Sequence, residues 1–198
     1  MADENVDQDR RRFLTGVTTG VGAAGVAAAA VPFVASMTPS AKARAAGAPV
    51  LVDIGDLEPG KLLKIEWRGK PVWIIKRTQE MLDSLETVKD ELADPDSDRD
   101  QQPQYAQNAT RSIEPEVLVL VGLCTHLGCS PLEKLKPGEL DSDWQGGFFC
   151  PCHGSKFDLA GRVFKNVPAP TNLEVPPHRF LSDSRVEIGV DTTKEDLA

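Results

Sequence analysis

A polar N-terminus ends in three consecutive arginines, Arg10, Arg11 and Arg12, and an uncharged run from Phe13 to Ser40 follows them. That run exceeds the roughly 20 residues a helix needs to cross a bilayer, although it is rich in Ala and Gly and only mildly apolar. "DRRRFLT" at its start fits a twin-arginine export address, which a receptor reads. The run is also longer than the apolar core of a cleaved signal, so retention as a single anchor is the better reading, with "ARA" at 43 to 45 the competing cleavage site. The arginines would then stay cytoplasmic and the bulk of the chain lie across the membrane, with Lys42 and Arg44 weakening that asymmetry.

The pattern divides the chain into a tail at 1–12, an anchor helix at 13–37, a tether at 38–49 and a head at 50–198. "TPSAKARAAGAP" in the tether consists of small residues with Pro near both ends and reads as a flexible or semi-rigid spacer. From Val50 onward short β segments dominate. "KLLKIEW" and "KPVWIIK" predict a hairpin turning at Gly69, and the apolar run "EVLVLVG" at 116 to 122 has strand length. "RFLSDSRVEIGV" predicts a closing hairpin. Met81, Leu82, Leu85, Val88 and Leu92 fall at helical spacing behind a Thr78 N-cap, so an amphipathic helix is expected there. "DPDSDRDQQPQYAQNAT" has the composition of a surface loop.

Hydrophobic residues at 40% and charged residues at 26% are ordinary for one folded domain of moderate size. The net charge of −8 and the pI near 4.9 argue against nucleic acid as a partner, since neutralising phosphates takes clustered Lys and Arg. Acidity here favours solubility and steering toward a basic partner.

All 4 cysteines lie in two short boxes, "CTHLGC" at 124 to 129 and "CPCHGS" at 150 to 155. Each box pairs a cysteine with a histidine, Cys124 with His126 and Cys150 with His153, and an excursion read as a loop separates them. Brought together, the boxes offer two sulfur and two nitrogen donors to one metal centre. Gly128 and Gly154 permit turns that aim backbone N–H groups at anionic sulfur. Cys129 and Cys152 remain, and facing loops would let them form a disulfide if their separation permits. Such a bridge belongs outside the cytosol, in agreement with the export address. Structural zinc accepts two Cys and two His, but its loops usually use Cys-x2-4-Cys knuckles. A cysteine nucleophile needs only one activated thiolate. An iron-sulfur cluster in which two histidines replace two cysteines on one iron accounts best for the mixed pairs.

The two boxes behind a twin-arginine anchor resemble the Rieske iron-sulfur subunits of bacterial ubiquinol-cytochrome c reductase, respiratory complex III, from Arg10 to about Val190. The resemblance implies a mainly β fold: an antiparallel head with a small cluster-binding subdomain at about 122–171, one N-terminal transmembrane helix and a hinge at the tether. It implies that Cys124, His126, Cys150 and His153 hold one 2Fe-2S cluster and that Cys129 and Cys152 form a disulfide. It further implies cytochrome b and a c-type cytochrome as partners and ubiquinol as electron donor, in a single-pass protein of the bacterial inner membrane with its head in the periplasm. Two neutral imidazoles in place of thiolates make the oxidised cluster less negative and raise its potential. Reduction should raise the proton affinity of a ligating imidazole's second nitrogen, which couples electron to proton. His153 is the expected contact with quinol.

Further residues carry over by position. Ser155 resembles the serine whose hydroxyl donates to a bridging sulfide, and Leu127 the leucine that shields the cluster. Phe157 stands where the family often has Tyr, so a potential below that of Tyr-bearing relatives is expected. "NVPAP" at 166 to 170 resembles the loop, commonly Gly-Pro-Ala-Pro, that covers the cluster, with Asn166 and Val167 departing from it. His178 reads as a surface or structural histidine. Rieske ferredoxins and ring dioxygenases share the Cys-His pairs but usually lack the bridging cysteines. The exported Rieske subunit of arsenite oxidase is the nearer alternative, against which stand the tether and the insert from Thr78 to Ser112.

Overall fold

The computed structural model describes residues 7–191, which fall into two units parting between Ala45 and Ala46. Residues 1–6 of the tail and 192–198 of the head lie outside the described residues. The first unit is led by α1, Gln8–Ser36, whose N-cap Asp7 accepts from the amides of Asp9 and Arg10. That acceptor satisfies N–H groups the first turn leaves open. None of its residues is buried, and in length and composition it can cross a membrane. The tether contains a short helix, α2, Ala41–Ala46, where the Ser40 hydroxyl accepts from the Ala43 amide at 3.1 Å and good helix formers follow.

The second unit is built on three antiparallel sheets, each 3-stranded. Its middle sheet joins β2 (Leu62–Trp67), β3 (Lys70–Lys76) and β4 (Val117–Val121) in that order. Alternation along β3 and β4 feeds two cores. Val72, Ile74, Val117 and Val119 pack with Val52, Val186 and Ile188. Trp73, Ile75, Leu118 and Leu120 pack with Phe148, Phe157, Cys124 and Cys150. A strand covered on both faces needs apolar residues at every position, which is why "VLVLV" reads as an unbroken run. The β2–β3 turn places Arg68 at φ 53 and Gly69 at φ 70, the left-handed pair that a type I′ hairpin requires. Arg68 holds that conformation with its guanidinium 4.4 Å over the Trp67 ring.

β1 (Val50–Asp53) pairs with β9 (Arg185–Ile188), and β9 with β8 (His178–Ser182). The closing hairpin thus also captures the first strand of the head. The excursion between the boxes is no mere loop: it carries β5 (Leu132–Lys134) and most of β6 (Gly147–Cys150), which with β7 (Ser155–Phe157) form the third sheet.

Thr78 caps α3, Gln79–Thr87, by accepting from the Met81 amide at 3.3 Å. The helix is shorter than its pattern, since a 3-10 turn at Lys89–Glu91 replaces its end, yet Val88 and Leu92 still reach the interior. The segment read as a surface loop departs further. Asp94, Ser97 and Ala106 are buried, as are Arg111 and Ser112 just beyond it. Carbonyls meet the terminal nitrogens of the buried guanidinium, Arg111 donating to Leu173 at 2.7 Å and to Ala160 at 3.2 Å. His178 is structural and not on the surface: it is buried, its amide donates to the Tyr105 hydroxyl at 2.9 Å, and its Nδ1 lies 2.8 Å from the Pro176 carbonyl oxygen. Burial pushes its pKa down to about 4, against the pull of that carbonyl.

Candidate metal centre

The middle sheet leads directly into the first box. Beyond β4 the backbone passes Trp73 so closely that a Cβ on Gly122 would lie 2.2 Å from the indole, so only glycine fits. Each box is then one closed turn. The Gly128 amide donates to the Cys124 carbonyl and the Gly154 amide to the Cys150 carbonyl, both at 2.9 Å. The two glycines sit at φ 79 and φ 80, where a Cβ would be strained. Two equivalent turns, on opposite sides of the excursion, are thereby presented side by side.

The turns sort their donors by burial. Cys124 and Cys150 carry free, buried thiols. The rings of His126 and His153 stand edge to face with centroids 4.8 Å apart, His126 half-buried and His153 exposed. Cys129 and Cys152 form the bridge across the turns, with Cα atoms 6.7 Å apart. The Cys150 sulfur lies within 4.8 Å of both bridged sulfurs. Bridged sulfurs have no thiolate to give, so the thiols free to act as donors are those of Cys124 and Cys150.

Burial pushes the Cys124 thiol up, the His126 amide pulls it down, Cys150 pushes it up again and the Ser155 hydroxyl opposes. Two thiolates facing one another in a dry pocket repel, and a multivalent cation between them removes both penalties. Two sulfurs and two imidazoles so placed suit a mixed-ligand iron-sulfur group. The residues fit it.

Residues around the donors hold the turns in place. Ser155 is fully buried, and its Oγ accepts from the Ala169 amide at 3.0 Å. With that lone pair engaged, the hydroxyl keeps its own proton to donate beside Cys124, whose pKa it pulls down. Thr125, between Cys124 and His126, donates to the Thr171 carbonyl at 2.7 Å. Both turns are thus fastened to the 166–171 loop, where Asn166 takes φ 58, as Asn does more readily than most residues. Nothing in the sequence marks Thr125 except a hydroxyl placed between a cysteine and a histidine. Leu127 is 71% exposed at the tip of the first turn, outside the core. Phe157 is fully buried in the core beside both free thiols. A cavity of about 580 Å³ opens between α3 and the Leu135–Pro137 segment, but no residue of either box lines it.

Comparison with known proteins agrees with this geometry. Residues 48–177 match the family model described as Rieske [2Fe-2S] domain, and residues 1–40 match one described as Ubiquitinol-cytochrome C reductase Fe-S subunit TAT signal. The chain is 58% identical over 193 residues to the ubiquinol-cytochrome c reductase iron-sulfur subunit of Allochromatium vinosum, covering 96% of this chain and 93% of that one. Its counterpart in Blastochloris viridis is 44% identical, covering 95% of this chain and 97% of that one. In Rhodospirillum rubrum the identity is 45%, over 92% of this chain and 93% of the relative.

Proposed function

Because the chain belongs to the Rieske [2Fe-2S] family, as an iron-sulfur subunit of ubiquinol-cytochrome c reductase, we propose that Cys124 and Cys150 hold one iron of its single cluster and His126 and His153 the other. When bound, the cluster supplies one-electron chemistry between ubiquinol and a c-type cytochrome. The observation that carries the assignment is the sorting of donors: two adjacent buried thiols and two imidazole rings 4.8 Å apart.

His153, on the solvent side, accepts the hydroxyl hydrogen bond of ubiquinol and then its proton through the ring nitrogen not given to iron. Leu127 offers an apolar contact beside it and keeps water from the donors. Ser155 donates toward sulfur, and negative charge there strengthens that bond. The disulfide and the 166–171 loop hold the two turns together through the change of charge. The export address and α1 support a head in the periplasm, anchored in the inner membrane with Arg10–Arg12 on the cytoplasmic side, beside cytochrome b and a c-type cytochrome.

Purification from membranes tests this reading. Iron and acid-labile sulfide should accompany the chain in equal amounts, b- and c-type cytochromes should copurify, and His153→Ala should abolish quinol-dependent cytochrome reduction. Activity surviving that substitution would overturn the assignment.

A further inference from the structure

The segment from Thr78 to Ser112 packs against the loop that closes over the turns, and its contacts are specific. Arg162 is fully buried and its guanidinium has three partners: Asp158 Oδ2 at 2.7 Å, the Leu85 carbonyl at 2.7 Å and the Pro95 carbonyl at 3.2 Å. Asp158 directly follows β7, whereas Leu85 and Pro95 belong to the insert. The backbone beyond Arg162 is paired with the insert as well. The Ala93 amide donates to the Val163 carbonyl at 2.9 Å, and the Lys165 amide to the Glu91 carbonyl at 2.8 Å. Asn172, on the far side of the loop, accepts from the Val163 amide at 2.9 Å and donates to the Asp94 carbonyl at 3.0 Å. Arg99, from the insert, donates to the carbonyl of Pro170 in the loop itself.

The insert therefore grips the loop at its root and near its end. Between those grips stands Ala169, whose amide donates to the hydroxyl of Ser155, the residue paired with Cys150 across β6 and β7. We propose that the insert is a positioning element for the cluster, with Arg162 and Arg99 as positioning residues that fix the 166–170 loop and, through Ala169, the hydroxyl of Ser155. Only a planar fork with several donors meets three acceptors at once; lysine keeps the charge beside Asp158 and loses the carbonyls.

The inference rests on the ligand assignment above, and the test separates the two. In the membrane-bound complex, Arg162→Lys and Arg99→Gln are compared with the unaltered protein by redox titration of the reduced cluster's electron paramagnetic resonance signal. Each should favour the oxidised state by two- to fivefold, a fall in midpoint of about 18 to 41 mV at 59 mV per tenfold for one electron, with altered g-values. Added to Ser155→Ala, neither should lower the midpoint further, because the hydroxyl they position is gone. A purely structural role reduces the amount of complex and leaves the midpoint of what remains unmoved. Unchanged midpoints, a rise, or full additivity with Ser155→Ala overturns the proposal. Should Arg162→Lys fail to accumulate, the exposed Arg99 decides alone. Absence of the signal from the unaltered protein would overturn the ligand assignment instead.

Discussion

Replacing Ser155 with alanine removes one oxygen that makes two bonds, and the structure assigns each a measurable loss. The hydroxyl accepts from the Ala169 amide at 3.0 Å at a site with no exposure, which leaves its proton to donate to sulfur at the proposed centre. A hydrogen bond to a charged acceptor contributes about 1 to 1.5 kcal/mol more than one to a neutral acceptor, and the sulfur is more negative after reduction. Losing that difference lowers the midpoint by about 40 to 65 mV for one electron. The second loss is separate: the Ala169 amide, buried without an acceptor, costs about 1 to 3 kcal/mol of stability. Redox titration of the purified complex reads the first, and the temperature at which the cluster bleaches reads the second. An unchanged or higher midpoint in Ser155→Ala would refute the orientation assigned to the hydroxyl, whatever happened to stability.

Phe157→Tyr should raise the midpoint, by placing a hydroxyl donor in the core that holds Cys124 and Cys150; a titration showing no rise would contradict this. Cys129→Ser with Cys152→Ser removes a bridge of sequence separation 23, worth about 3 kcal/mol through the unfolded chain, and should advance cluster loss on heating. Folding holds His178 neutral, with its pKa lowered to about 4 from 6.5, so its contribution is intact above pH 6.5 and lost as pH falls toward 4. The loss amounts to about 3 kcal/mol, and His178→Gln should flatten the pH dependence of urea unfolding over that window by the same amount. Equal slopes in the two proteins would count against it.

The boxes were legible because the chemistry of the site is written in residue types that have few other reasons to occur together. The anchor and the β3–β4 ladder were legible for a related reason, since a segment long enough to span a bilayer and a strand covered on both faces each show as an unbroken uncharged run. The insert was not. Arg111 and Ser112 look like loop residues, and partners distant in sequence make their burial tolerable: the carbonyls of Ala160 and Leu173 for Arg111 and the guanidinium of Arg77 for Ser112. Arg162 hides in the same way, because a buried guanidinium satisfied by one carboxylate and two carbonyls distant in sequence has no pattern along the chain. Pairing of β1 with β9 joins opposite ends of the head, and no local rule anticipates it. The strands of the excursion are short, and β6 opens with a glycine that weakens any strand signal.

The disulfide also settles what an oxidant or alkylating reagent can find at the tip. Of the chain's 4 cysteines, the pair nearer the solvent is already oxidised and the other pair is buried. Peroxide therefore meets no accessible sulfhydryl at the tip, and the chain leaves no reactive handle there for damage to begin.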